Sequence, residues 1–454
     1  MFQKFTMASV KLVQRWLPDP FLFAIVLTFI TFAMGIILTR QTPVQMVGHW
    51  GSGFWGLLTF SMQMVLILVT GHTLAQAPIF KKTLVYLASI PRNAGTAIVL
   101  VTVVAAVGSW INWGFGLVLG ALFAKEIAKR GELKCDYRLL IASSYSAFLF
   151  WHGGLSSSAG LMMASATTNF EAISGGVLSG PMSTATTLFA PFNIIMLLFF
   201  LATIPFINRA MLPKNEKDVV LIDPSKLDDA AVVTATKPKS EMTPAEKLEN
   251  SAVVSYVVGL MGITVIVMHF INTGFNLDLN IVNFIFLIAG IILHGTPARF
   301  LGAVATAVRG AGGIIIQFPF YAGISGMIVG VGASGISLAN IMSDGFVNIS
   351  TATTLPMFTF LSAGLLNMFV PSGGGQWVIQ APIMLPAAYE LGASMERIVM
   401  AYAWGDVWTN MLQPFWALPA LAIAGLNAKD IMGFLLIHLI FVGAAASVLL
   451  MFLP

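Results

Sequence analysis

From residue 20 to its end the chain is a succession of apolar runs, at about 20–39, 54–77, 95–112, 114–128, 139–170, 187–207, 251–271, 281–297, 311–333, 354–370, 376–388, 398–425 and 431–453. About 20 apolar residues make a helix long enough to cross the hydrocarbon of a bilayer. In lipid a backbone satisfies its own N–H and C=O groups only as a helix or as a closed barrel. Barrel strands alternate apolar and polar residues. These runs are continuous, so a helical chain is expected. Only 9% of the residues are charged and 57% are hydrophobic, whereas soluble domains carry roughly 25% charged residues. So little polar surface cannot cover a water-soluble globule of 454 residues. That excludes a cytosolic enzyme, a nucleic-acid binder and a disordered chain. The expected fold class is an all-α polytopic membrane protein with about 11–13 membrane segments.

The charges are unevenly placed. Residues 209–249 hold seven of the 23 basic residues and eight of the 19 acids. We read 208–250 as a charged cytoplasmic linker between two halves, 18–207 and 272–454. The net charge of +4 then marks cytoplasmic anchors under the positive-inside rule, not a nucleic-acid partner. Lys4, Lys11 and Arg15 lie on an amphipathic stretch, 1–17, that suits a helix on the inner surface. Lys81, Lys82 and Arg92 fall inside by the same rule, as do Lys125, Lys129, Arg130, Lys134 and Arg138. The run 251–271 has no counterpart in the first half. One extra crossing there inverts the second half and puts Arg299 and Arg309 inside, with Arg40 and Arg397 outside. Cys135 is the single cysteine, so no intramolecular disulfide forms, and it reads as an incidental thiol in a cytoplasmic loop.

Four runs have abnormal lengths. Those at 114–128 and 376–388 are too short to span. Each follows another helix through a glycine-rich tip, INWGFG at 111–116 and VPSGGGQW at 370–377, which predicts re-entrant hairpins. Those at 139–170 and 398–425 are too long, and they are interrupted by FLFWHGGLSSSAG at 148–160 and WGDVWTNMLQP at 404–414. Such breaks are tolerated in a membrane only where they are buried in protein or line a watery cavity. The same order, hairpin then broken helix, occurs in both halves. A shift of 259 residues places Gly71 on Gly330, Gly114 on Gly373, Gly116 on Gly375 and Arg138 on Arg397. Two inverted repeats are therefore expected, each with a re-entrant hairpin and a broken transmembrane helix. Paired interrupted helices of this kind point to the binding site of a transporter.

A charge inside the membrane costs about 2.5–3.5 kcal/mol on insertion scales, which makes it a candidate for function. Asp406 is the acid at the centre of a long apolar run, and Asn410 lies one helical turn on. Together they suit a coupling H+ or Na+, although Asp406 could instead cap a half-helix. His152 sits in the other break, where it could titrate or bond a free carbonyl. Helix N-termini at the two tips favour an anion, and glycine lets it approach the backbone. The candidate substrate-binding set is Asn112, Gly114, Gly116, His152, Ser156, Ser157, Ser372, Gly373, Gly374 and Asn410. Trp110, Trp113, Phe148, Phe150, Trp151, Trp377, Trp404 and Trp408 crowd these elements. An apolar wall beside an anion site suits a carboxylate with a short hydrocarbon tail. No embedded Lys or Arg is placed to hold a second carboxylate. No His or Cys pair has metal-ligand spacing, so neither a metal nor another cofactor is expected. Two other classes stay open. A passive anion channel is one. The other is an intramembrane serine protease, from Gly332-Ala333-Ser334-Gly335 with His438, since such a pair is recognised by geometry.

Five segments carry a family resemblance along nearly the whole chain: RWLPDPFLFAIVLTF, SWINWGFGLVLGALFAKEIAK, FLFWHGGLSSSAG, NMFVPSGGGQWVIQAPIMLPAA and AWGDVWTNMLQPFWALP. In these it resembles the bacterial short-chain fatty acid transporters of the ion transporter superfamily. The resemblance implies uptake of short-chain monocarboxylates such as acetoacetate or butyrate across the bacterial inner membrane. It also implies a homodimer with a scaffold domain and a moving domain. Pro-Ser-Gly-Gly-Gly stands here where dicarboxylate relatives carry Ser-Asn-Thr, so the resemblance does not choose between H+ and Na+.

Overall fold

The computed structural model describes residues 20–213, 219–222, 238, 240–333, 335–368, 370–412 and 416–453. Every regular element among them is helical. The first half builds α1 (Pro20–Thr39), α2 (Pro43–Gly53), α3 (Leu58–Ala75), α4 (Pro78–Ala88), α5 (Ala94–Ile111), α6 (Trp113–Ala128), α7 (Tyr137–Ser146), α8 (Ser158–Ala164), α9 (Phe170–Ser174) and α10 (Pro191–Ala210). Between the halves lie α11 (Pro244–Glu249) and α12 (Ala252–Thr273). The second half builds α13 (Leu279–His294), α14 (Pro297–Val308), α15 (Gly312–Val329), α16 (Leu338–Ile349), α17 (Leu355–Asn367), α18 (Gly373–Leu391), α19 (Met395–Thr409), α20 (Ala417–Ala424) and α21 (Ala428–Phe452).

The helix starts follow local rules. Proline opens α2, α4, α10 and α14, where its missing N–H costs nothing. Asn93 and Thr96 cap α5 reciprocally. Among the described residues α3, α5, α10, α12, α15 and α21 are long and apolar enough to cross a membrane. Eighteen residues, the shortest of these, rise about 27 Å.

The element order recurs. Each half runs long, short, long and short helix, then two paired arms, then two half-helices separated by a break, then a final long helix, which in the first half is preceded by the extra short α9. The packing is reciprocal: α3 lies against α13 and α14, and α15 lies against α1 and α2. The arms α5 and α6 return to one end of the molecule. There the Arg130 guanidinium donates to the carbonyls of Ala88 (2.8 Å) and Pro91 (2.9 Å). Helix α12 packs on α13 and α14 and leaves Val253, Leu260, Met261 and Ile271 exposed along its length.

Several boundaries differ from the sequence reading. The run 139–170 divides into α7, a 3-10 turn at Ala147–Phe150, a non-helical stretch and α8. The run 398–425 divides into α19 and α20. The short helices α2, α4 and α16 lie wholly outside the apolar runs, and α14 does so after its first residue. They carry too few apolar residues to register as spans. The second hairpin has a short first arm, 13 residues, and a long second arm, 19 residues. The linker is not featureless: residues 208–210 complete α10 and 244–249 form α11. Its Val220 is tied to the start of α7, donating to Asp136 Oδ2 (2.8 Å) and accepting from the Tyr137 N–H (2.9 Å). The expected surface helix at 1–17 and Ser334 lie outside the described residues.

Candidate functional site

The break between α7 and α8 turns on Gly153 and Gly154 and ends on Ser156 and Ser157. Gly154 lies so close to the Trp110 backbone that no side chain fits there. Loose backbone groups are taken up by neighbours. The Leu155 N–H donates to the Trp110 carbonyl (2.7 Å), and Asn193 Nδ2 on α10 donates to the Gly153 carbonyl (3.1 Å). This arrangement holds His152 fully buried, stacked on Trp151 at 4.2 Å between ring centroids. His152 Nε2 accepts from the Ala159 N–H at 3.1 Å, so that nitrogen carries no proton. The proton then sits on Nδ1, which donates to Asp406 Oδ2 at 2.8 Å.

Asp406 is buried on α19, near the start of the other break. Its Oδ1 has no protein partner. Its backbone carbonyl accepts from Asn367 Nδ2 (2.8 Å), which also reaches Thr409 Oγ1 (3.0 Å) and Asn410 Oδ1 (2.9 Å). The Asn410 carbonyl accepts from the Tyr145 hydroxyl on α7 (3.0 Å). Asn410 Nδ2, Asn367 Oδ1, Gln376 Oε1 and Trp377 Nε1 are likewise buried without a partner. A buried polar atom left unmatched costs about 1–3 kcal/mol. This cluster of them lies around the N-terminal end of α18.

That end is the second tip. Ser372 caps α18 by accepting from the Gly375 N–H (3.2 Å). The Gly373 carbonyl accepts from the Tyr402 hydroxyl (2.6 Å). A Cβ on Gly373 would collide with Trp151 and His152 and press on Asp406 Oδ2, and one on Gly374 would collide with Phe60. Glycine at these two positions lets the helix end touch the His152–Asp406 pair.

The first tip is arranged differently. Asn112 caps α6 through Phe115 N–H (2.9 Å) and donates to the Ile67 carbonyl on α3 (3.3 Å). Gly114 packs on Leu68 and Gly116 on Ser109. Ser156 Oγ accepts from the Trp113 N–H (2.9 Å), and Ser157 caps α8 through Gly160 N–H (3.1 Å). Thus His152, Asp406, Ser372, Gly373 and Gly374 gather in one place, with Asn410 joined through Asn367. Asn112 and Gly114 instead fasten the first hairpin to α3, Gly116 packs its arm against Ser109 of α5, and their tip presents Trp113. Ser156 and Ser157 hold the first break to that tip.

Trp113 faces the second tip across a cavity of ≈ 20 Å³. Its polar end is Ser158, Ser372, Gly373 and Gly374, and its wall is Met64, Trp113, Phe148, Trp151, Ile314, Phe318 and Trp416. That volume holds about one water. A larger cavity of ≈ 430 Å³, with Ser52, Thr59, Gln63, Thr168, Asn169 and Ser325 among its lining, also reaches Phe60. The rings of Phe60 and Phe318 pack 5.6 Å apart between the two spaces. Asn367, Gln376, Tyr402, Ser158, Phe60 and Phe318 were not singled out from the sequence. Asn367 and Gln376 had a legible signal, being amides within apolar runs. The others look like ordinary core residues until they are placed.

Comparison with known proteins decides the family. The model of the family described as short chain fatty acid transporter matches residues 1–453. The chain belongs to the short-chain fatty acid transporter family. An Escherichia coli K12 protein carrying the provisional name short-chain fatty acid transporter is 45% identical over 98% of each chain. A Haemophilus influenzae protein with the same provisional name is 45% identical over 94% of this chain and 95% of its own. The fold is similar to the crystal structure of the Alcanivorax borkumensis YdaH transporter. That comparison has a TM-score of 0.59 at 16% identity and covers 95% of this chain and 98% of that one. Membership of this transporter family gives the chain a transport role and makes it a multi-pass membrane protein. Its bacterial relatives are consistent with the inner membrane.

Proposed function

We propose that this transporter takes up short-chain monocarboxylates such as acetoacetate or butyrate by alternating access, coupled to a cation held at Asp406. The observation that carries the reading is the buried His152–Asp406 hydrogen bond, which joins the two broken helices directly against the glycine tip of α18. The N-terminal end of α18 offers backbone N–H groups and a positive dipole to one carboxylate. The aromatic and aliphatic wall takes the hydrocarbon tail. A cavity for about one water is smaller than any fatty acid, so loading requires the tips and the Phe60–Phe318 pair to part.

An anion moving into a negative-inside cell is opposed by about 2.3 kcal/mol per charge per 100 mV. A co-transported cation offsets this. Asp406 Oδ1 is the group suited to receive it. A second proton on His152 would displace the Ala159 N–H, whereas Oδ1 can accept a proton or face Na+ with no bond broken. In this reading 18–207 and 272–454 are inverted repeats, α12 supplies the extra crossing, and the working unit is a homodimer.

The test is an uptake panel in proteoliposomes, comparing acetate, butyrate, acetoacetate and succinate under imposed H+ and Na+ gradients. Gradient-driven accumulation of the monocarboxylates and not of succinate is expected. Fast, gradient-independent flux would favour a passive channel instead.

A further inference from the structure

A groove of ≈ 490 Å³ lies between the N-terminal half of α5 and the C-terminal end of α10, remote from the transport site. Its head is polar: Arg92, Asn93, Thr96 and Arg209. No acid lines it. Neither arginine forms an ion pair among the described residues. Below the head the lining is apolar, with Val99, Leu100, Val103 and Phe206. Phe206 is 60% exposed, so this part opens toward the hydrocarbon.

The electrostatics of the head are one-sided. Arg209 closes α10, where a cation complements the negative helix end. Yet it also lies against the positive end of α5. A Cβ on Gly95 would meet its Nε at 3.0 Å, so glycine there leaves room for the guanidinium to lie close. Arg92 stands at the same helix end. Two cations and one helix N-terminus therefore converge with no carboxylate among them. From Ala94 to Val103 the apolar strip rises about 14 Å, the reach of part of an acyl chain.

We infer that this groove binds an anionic phospholipid of the surrounding bilayer, its phosphate between Arg92 and Arg209 and one acyl chain along Val99, Val103 and Phe206. The charge supplies the headgroup preference, since a basic pocket between transmembrane helices favours anionic lipid. The open apolar strip distinguishes a lipid from a soluble phosphate.

The experiment uses the full chain purified in detergent, with bound lipid counted by native mass spectrometry and stability followed by thermal melting. Phosphatidylglycerol should be retained and raise the melting temperature. Phosphatidylcholine at the same mole fraction and inorganic phosphate should do neither. Arg92→Gln should weaken retention about fivefold, and Arg92→Gln with Arg209→Gln about 25-fold. Lys81→Gln with Lys82→Gln, which removes the same charge elsewhere at that end, should leave it unchanged. Both arginines are exposed, so folding is not at stake; should the double variant fail to fold, the single one decides. Equal retention by the arginine variants, equal effect of phosphatidylcholine, or a full thermal shift from phosphate alone would each overturn the inference.

Discussion

His152 Nδ1 and Asp406 Oδ2 stand 2.8 Å apart, although 254 positions separate the two residues in the chain. One belongs to the break of the first half and the other to the broken helix of the second. A bond between the two interrupted elements lets the charge state of one carboxylate act on both at once. The first prediction follows from it. Asp406→Asn should abolish gradient-driven accumulation while keeping exchange of labelled for unlabelled substrate. His152→Gln, which removes the ring but keeps an amide, should weaken accumulation without abolishing exchange. Full accumulation by a folded Asp406→Asn protein would reduce Asp406 to a structural acid.

The glycines of the second tip are tested by volume. Gly374→Ala places a methyl on Phe60. Overpacking of this kind costs about 1–3 kcal/mol, so both melting temperature and uptake should fall. Phe60→Leu in the same chain should recover much of the stability. A Gly374→Ala protein as stable and active as its parent would mean that the tip does not press on Phe60.

Phe318 bears on chain length. It lines the cavity at the tip and packs on Phe60. Phe318→Ala should shift preference toward pentanoate over butyrate by about tenfold, the scale at which one methylene is discriminated in an apolar pocket. Competition uptake measures this ratio. An unchanged ratio would place the tail elsewhere.

Asn367 is the hub between α17 and the second break, through three contacts from Nδ2. Asn367→Ala leaves those acceptors buried and unmatched. A loss of about 1–3 kcal/mol is expected, together with a lower affinity for the coupling cation. Titration of transport against H+ and Na+ would separate the two effects.

Cys135 provides a probe of topology. Burial, and then the charge of Asp136, push its thiol from 9.0 up to about 12. The thiolate is the reactive form, so the native protein should resist maleimide at neutral pH and react once unfolded. The sign follows from the direction: this raised value stabilises the fold fully below pH 9.0 and the contribution is lost as pH climbs toward 12. With Cys135 silent, Lys81→Cys should label from the cytoplasm and Val44→Cys, 81% exposed at its position, from the periplasm. Reversed labelling would overturn the expected orientation.

The sequence by itself determined the solvent of this protein, the helical class and the places where helices stop. Those follow from local physics. Continuous apolar runs must be helices in lipid, His152-Gly153-Gly154 cannot stay regular without neighbours to satisfy the backbone, and Ser372 ahead of three glycines marks where a new helix is capped. Asp406 was legible because one charge in an apolar run is costly wherever it lies. Tertiary structure alone decided which of these elements meet. It brought His152 onto Asp406, set Asn367 beneath the second break, and placed Phe60 and Phe318 between two cavities. It also turned Asn112, Gly114 and Gly116 toward the packing of the first hairpin. The reason is one of range. Backbone satisfaction is settled within a few residues, whereas the contacts of these polar side chains depend on partners 39 to 254 positions away.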